Sequence, residues 1–287
     1  MGYMHIENLY KNTDIMAFKE CYALEKIHGT SAHIKFTSED GVSFFSGGEK
    51  HDKFIKLFNS VKLEELYCKV FEEQDCPDVT LFGEAYGGKQ QGMSETYGKE
   101  LKFIVFDVKI GDTWLDVPNA YDVACKLDQE FVDWVKCDTK LETLNGYRDI
   151  PSRQAKRNGI VEDKIAEGIV LRPLVECTKS NGNRIIVKHK REEFNETKTV
   201  REVDPEKLKI LEEAREIAIE WVTEMRMKHV LDKLGNPDDI KETGAVVKAM
   251  IEDVLREAKG EIVESQNTKK AIGTASARMY KEMTSKI

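Results

Sequence analysis

The sequence contains no apolar run approaching the roughly 18 residues of a membrane span. Its start, Met1-Gly2-Tyr3-Met4-His5-Ile6-Glu7, has neither the basic nor the apolar stretch of a secretory leader. A cytoplasmic protein with no membrane partner is therefore expected, acting in the host cytoplasm if the chain is phage- or virus-encoded. The six cysteines, Cys21, Cys68, Cys76, Cys125, Cys137 and Cys177, include no C-x-x-C pair, which leaves a zinc site unsupported and points to a reducing compartment. No internal repeat or low-complexity tract is present. A positive balance of charge is also missing, 44 Lys and Arg standing against 52 Asp and Glu for a net charge of −8, which at face value disfavours a nucleic-acid partner. Its distribution qualifies that reading. Residues 148–201 carry 13 Lys and Arg against 8 Asp and Glu, whereas residues 1–147 carry 16 against 26. A basic segment in an acidic protein builds a local phosphate-attracting groove, or simply a solvated surface.

With 287 residues, 40% apolar and 33% charged, the chain is long enough for a large core or for a core plus a smaller module. Up to Asp204 short β-type runs dominate: 32–37, 42–46, 79–83, 102–109, 168–172 and 184–190, bounded by turn residues, with Glu39-Asp40-Gly41 and Asn181-Gly182 as hairpin signals. Helical periodicity appears at 51–66 and 119–136. The mixture predicts an α+β domain on antiparallel sheets. After that the pattern is helical. Asp204 and Pro205 mark a start, and Leu208, Leu211, Ala214, Ala218, Trp221 and Met225 share one face of a helix reaching Gly235. A second helix to Gly260 and a third over 268–285 follow. The expected organisation is a sheet domain over 1–203 and a small all-helical domain over 204–287.

Five segments carry candidate chemistry. Lys26 stands in Glu25-Lys26-Ile27-His28-Gly29-Thr30. A lysine attacks a nucleotide phosphorus only as the neutral amine, against an ordinary pKa of about 10.4, and nearby positive charge favours that form. Lys188 and Lys190 would share one face of a strand, with His189 on the other, and would also bind phosphates. A solvated edge strand is the plainer reading of K-x-K. Glu167 would share a face with Ile169 and Leu171, and a carboxylate among apolar neighbours needs a cation: Mg²⁺, or a salt bridge to Lys188 or Lys190. Glu84, at a strand end entering Tyr86-Gly87-Gly88, suits a ribose hydroxyl or a hydrated metal. Phe106 lies in an apolar strand, as core or as a stacking face for a purine.

In this order the segments resemble the covalent nucleotidyltransferases, most closely the RNA ligase 2 family. The motifs are E-K-I-H-G-T at Glu25 to Thr30, F-G-E at Phe82 to Glu84, V-F-D at Val105 to Asp107, E-G-x-V-L-[KR]-P at Glu167 to Pro173, N-G-N-R at Asn181 to Arg184 and K-x-K at Lys188 to Lys190, with a weaker match over Tyr3 to Tyr10. The resemblance implies an ATP-grasp-like ligase domain followed by a helical C-terminal domain that helps engage RNA ends. It implies a lysyl-AMP at Lys26, with ATP as nucleotide and Mg²⁺ or Mn²⁺ as metal. Glu25, Ile27, Gly29, Glu84, Phe106, Glu167, Lys188 and Lys190 would bind the cofactor, and Glu167 with Glu84 would serve the metal. His28 would assist a step after enzyme adenylylation. Tyr3 and Arg172 are further candidate RNA contacts, with Lys50 or Lys53 taking over a phosphate contact from a family arginine that this chain lacks. The expected partners are RNA ends, in a nicked duplex or a broken structured RNA, and the expected state is a monomer.

Two departures stand out. The family's K-R-T-G-like arginine is missing from Phe44-Phe45-Ser46-Gly47-Gly48-Glu49-Lys50, and Leu24 occupies the place of the arginine before E-K. The rival readings are a capping guanylyltransferase, a DNA ligase, which the helical C-terminal part disfavours, and an RNA end-binding protein impaired in catalysis.

Overall fold

The computed structural model describes residues 2–179, 181–194 and 204–284. Its strands are β1 (Glu7–Asn8), β2 (Glu20–Lys26), β3 (Thr30–Thr37), β4 (Gly41–Ser46), β5 (Val79–Gly87), β6 (Leu101–Ile110), β7 (Thr113–Trp114), β8 (Trp134–Asp138), β9 (Gly168–Pro173) and β10 (Val187–Lys190). They form two five-stranded sheets, ordered β1-β10-β9-β2-β8 and β4-β3-β5-β6-β7. Every pairing is antiparallel except β1 with β10. By contact the chain divides into two compact units, Met1–Leu9 with Glu20–Val200, and Tyr10–Lys19 with Arg201–Ile287. Residues 10–19 thus join the helical unit, which sequence pattern alone had not suggested. No helix among the described residues is long and apolar enough to cross a membrane.

Alternation explains how the second sheet leaves one face free. Along β3, Ala32, Ile34 and Phe36 are fully buried while Ser31, His33 and Lys35 are half-buried. The inward set packs on the helix Ser60–Phe71 through Leu63, Tyr67 and Phe71. Phe36 and Tyr67 stack with ring centroids 5.1 Å apart. Each such side chain contributes about 1.5–3 kcal/mol when removed from water, so this face anchors the sheet. The opposite face is left to line a cleft.

Some elements depart from the sequence expectation. The helix expected over 119–136 runs instead from Val117 to Lys126, its start capped where Asp116 accepts from the Asn119 N–H. Asp128 then turns the chain at φ 57°, and Trp134–Asp138 becomes β8, an edge strand against β2. The helix expected over 51–66 breaks at Phe58, and Asn59 caps a fresh start at Ser60. In the helical unit Asp204 caps Pro205–Trp221 as expected. Thr223 then accepts from the Arg226 N–H and opens a separate helix, Glu224–Lys233, so Met225 leaves the expected buried stripe and is 83% exposed. Thr243–Glu257 and Gln266–Thr284 complete the unit, whose core includes Ala218, Met227, Met250, Val254 and Tyr280. Ser285 lies outside the described residues.

Candidate active site

Lys26 ends β2 in the first sheet and Thr30 opens β3 in the second, so the E-K-I-H-G-T segment is the chain's passage between sheets. Buried donors and acceptors fix that passage. The His28 N–H donates to the Tyr97 hydroxyl at 3.3 Å and the Gly29 N–H to Glu84 Oε1 at 3.1 Å. A Cβ at Gly29 would lie 2.4 Å from the Ala85 carbonyl oxygen, which explains the glycine. Ile27 packs into the core at 4% exposure. The Glu25 carboxylate accepts from the Ser152 hydroxyl and from the N–H groups of Arg153 and Gln154 at 2.5, 3.0 and 3.1 Å. It therefore caps the helix Arg153–Arg157. Glu25 and Ile27 border the cleft, the Glu25 carboxylate being engaged by this helix start.

Glu167 gathers three side-chain nitrogens. Its Oε2 lies 2.8 Å from Lys26 Nζ and 2.9 Å from His28 Nδ1, and its Oε1 lies 3.0 Å from Lys190 Nζ. Strict alternation would have put Glu167 on the Ile169 and Leu171 face, away from these groups. Gly168 is the reason it is not there. At φ +145° it breaks the alternation just where β9 begins. Gly168 also sits opposite both Lys26 on β2 and Lys190 on β10, so the carboxylate of Glu167 enters between the two ammonium groups. Burial alone would raise the Glu167 carboxyl, yet the His28 bond and the charges of Lys26 and Lys190 together hold it at about 2. His189, on the other face, meets Asn145 Oδ1 at 2.7 Å, and burial lowers it to about 4.

The free faces of the two sheets enclose a cleft of about 380 Å³, within the range of small-ligand sites. Lys26, Val170, Ile186 and Lys188 line one side, and Ser31, Glu84 and Phe106 the other. Phe106 reaches it through a β-bulge. The β5–β6 register passes from Phe82 opposite Asp107 to Gly83 opposite Val105, leaving Phe106 as the extra residue and re-aiming its ring. Lys50 and Lys53 are exposed beside the helix His51–Phe54 and do not line the cleft. In the segment lacking the family arginine, Glu49 accepts from Gln90 Nε2 at 2.8 Å.

Beneath the cleft lies a charge network that sequence reasoning did not assemble. Asp107, fully buried, accepts from Arg172 Nη1 at 2.9 Å, from Arg184 Nη1 at 2.6 Å and from the Tyr3 hydroxyl at 2.6 Å. Glu176 accepts from Nε of Arg172 at 2.9 Å and of Arg184 at 3.0 Å. Two guanidinium groups and two carboxylates thus balance out of water. Two residues named as RNA contacts, both bordering the cleft, take part in this network. Arg172 is 1% exposed, its guanidinium engaged by Asp107, Glu176 and the Leu115 carbonyl, and the Tyr3 hydroxyl is turned inward. Asp107 and Arg184 were visible as parts of V-F-D and N-G-N-R, but their pairing across 77 residues was not. Tyr97 left no sequence signal.

Glu84 and Glu167 are the carboxylates available to a divalent cation. Among the described residues no group of three or more His, Cys, Asp or Glu side chains could hold a metal alone. The pair nevertheless fits a hard cation such as Mg²⁺, which takes one or two protein carboxylates and completes its shell with water and substrate phosphates. Burial raises Glu84 to about 7, opposed by Lys26 and helped by Glu167. Because its folded value lies above its unfolded value near 4.5, Glu84 costs the fold nothing below about pH 4.5 and increasingly more up to about pH 7. Glu84→Gln, which can still accept from Gly29, should therefore stabilise the protein at pH 8 by on the order of 1–3 kcal/mol. Urea titrations at pH 8 and pH 4.5 should show the gain vanishing at the lower pH; a gain of equal size at both would refute the assignment.

A family model described as RNA ligase matches residues 19–190, from the start of the first sheet's β2 to Lys190. No curated protein matches. Among solved structures, a variant of Naegleria gruberi RNA ligase with ATP and Mn is 14% identical at a TM-score of 0.49, and an apo variant of the same ligase is 16% identical at 0.48. Each match covers 68% of this chain and 56% of the ligase, so the chain spans little more than half the length of those proteins. The family match takes in more than half of the sequence and contains Lys26, Glu84, Phe106, Glu167, Lys188 and Lys190 alike, and on it the chain belongs to the RNA ligase family.

Proposed function

We propose that the chain is an ATP-dependent RNA ligase that joins a 3′-hydroxyl to a 5′-phosphate through a lysyl-AMP at Lys26. The observation that carries the reading is the convergence of Lys26, His28 and Lys190 on Glu167 at the edge of a cleft that Phe106 lines. The base would stack on Phe106 against Val170 and Ile186, with the ribose toward Glu84 and the phosphates toward Lys188 and Lys190. In the first step the neutral Lys26 amine forms a bond to the α-phosphorus while the bond to the bridging oxygen breaks and pyrophosphate leaves. The amine's proton goes to solvent. The AMP then passes to the RNA 5′-phosphate, releasing Lys26, and the 3′-hydroxyl displaces AMP to close the strand. Each transfer is an in-line displacement favoured by positioning and charge neutralisation. Bound between Glu167, Glu84 and the phosphates, Mg²⁺ would supply neutralising charge. The solved Naegleria gruberi ligase variants with ATP or AMP and Mn are consistent with such use.

The test is covalent labelling. Purified protein incubated with Mg²⁺ and α-labelled ATP should retain label through denaturation, and α-labelled GTP should give little; label from GTP alone would point to a capping enzyme. Sealing of a nicked RNA duplex should then exceed sealing of the matching DNA duplex and of a single strand, in line with a role in RNA repair. Label that never reaches RNA would confine the proposal to its first step.

A further inference from the structure

Residues 3–6 form a wall of the cleft that the chemistry above does not use. This short segment is held at both ends. Behind it, β1 pairs in parallel with β10, Glu7 opposite Val187 and Asn8 opposite Lys188, and the Leu9 N–H donates to the Lys188 carbonyl at 2.8 Å. At its front, Tyr3 is fixed by its hydroxyl to Asp107 at 2.6 Å, while Arg184 donates to the same hydroxyl at 3.2 Å. Burial and the Asp107 charge keep the phenol protonated, well above its ordinary range, so it remains a donor.

The ring of Tyr3 completes the argument. It meets Phe106 edge-on at 4.9 Å, Trp114 edge-on at 5.7 Å and Phe82 at 5.2 Å. Trp114 is itself covered by the Arg184 guanidinium, 4.1 Å from its centroid. Phe106 is the bulged residue of its strand and has no partner opposite it in the β5–β6 ladder, so backbone pairing does not fix its direction. Tyr3 supplies what the bulge leaves open.

We propose that Tyr3 is a positioning residue that holds the Phe106 ring in the orientation needed to stack on the nucleobase. The inference rests on the nucleotide reading of the cleft. Tyr3 does not itself meet the reacting atoms, so its loss should act on base affinity and leave the covalent step intact. Asp107 keeps both arginines in Tyr3→Ala, so the charge network stays balanced and the fold should survive.

The experiment measures equilibrium binding of ATP and of a ribose triphosphate without a base, by calorimetry, for wild type, Tyr3→Ala, Tyr3→Phe, Phe106→Ala and the Tyr3→Ala, Phe106→Ala double variant. Single-turnover labelling at saturating ATP runs alongside. Tyr3→Ala should weaken ATP binding about five- to tenfold, the scale of an aromatic pair, with no change for the base-free triphosphate and a labelling rate at saturation within about threefold of wild type. Tyr3→Phe, which keeps the ring contacts, should recover most of the loss. In the Phe106→Ala background Tyr3→Ala should have no further effect, because the two act as one unit. Equal weakening for both ligands, or full additivity with Phe106→Ala, would overturn the proposal. A wild type that binds ATP but takes no label sinks the ligase reading and leaves the Tyr3 measurement standing; a wild type that binds no ATP sinks both.

Discussion

Lys26→Ala is expected to abolish covalent labelling by ATP while leaving the protein folded. The nucleophile is the only group whose removal deletes the bond that forms, so the residual signal should be at background and not merely slowed. The stability cost should be small. Lys26 is 23% exposed at its side chain, so it keeps part of its hydration in the folded protein. Glu167 also keeps Lys190 at 3.0 Å and His28 at 2.9 Å, so no carboxylate is stranded in the interior. An RNA whose 5′ end already carries AMP bypasses the missing bond, and the variant should seal it to a 3′-hydroxyl at a measurable rate. The checks are gel-based labelling with α-labelled ATP, sealing of the adenylylated RNA, and a thermal melt. Retained label would move the nucleophile to another residue, with Lys188, which lines the cleft, and Lys190, which meets Glu167, as the candidates.

Most of this site could be read from the chain because its parts lie in local patterns. Lys188 and Lys190 alternate with His189 on β10, and the structure keeps that alternation: Lys188 lines the cleft, Lys190 meets Glu167 and His189 turns to Asn145. The turn at Asn181-Gly182 lies between antiparallel strands β9 and β10, as its residues indicate. The misreadings share one physical origin, tertiary context overriding a local rule. β2 escaped notice because small or polar residues, Cys21, Ala23 and Glu25, occupy one of its faces, which no apolar alternation marks. β8 was hidden at the end of a helical pattern that Leu127 and Asp128 terminate. Arg172 was read only as an RNA contact, and only the fold brings it to Asp107, 65 residues away in the chain. A buried arginine gives no sign of itself until its partners are known.

The placement of Glu167 exposes a sharper dependence, since one backbone conformation carries the whole cation cluster. Gly168→Ala should be strongly damaging. Two costs combine there. The residue sits at φ +145°, which a side chain adopts only under strain of about 1–3 kcal/mol. The added Cβ would in addition lie 2.2 Å from the His189 carbonyl oxygen and 2.8 Å from the Lys190 Cα. Those are backbone atoms of a strand already paired to β1 and β9, so relief requires β10 to shift and to carry Lys188 and Lys190 with it. The expected loss is about 3 kcal/mol or more, together with loss of labelling. Gly159→Ala separates the two costs, because Gly159 also has positive φ, +84°, yet a Cβ there meets nothing within 4 Å. It should lose only about 1–2 kcal/mol and label normally. Urea denaturation of both variants beside the labelling assay decides the matter. Similar stabilities for the two would mean that β10 yields easily, and normal labelling by Gly168→Ala would mean that Glu167 does not depend on this turn of the backbone for its place between Lys26 and Lys190.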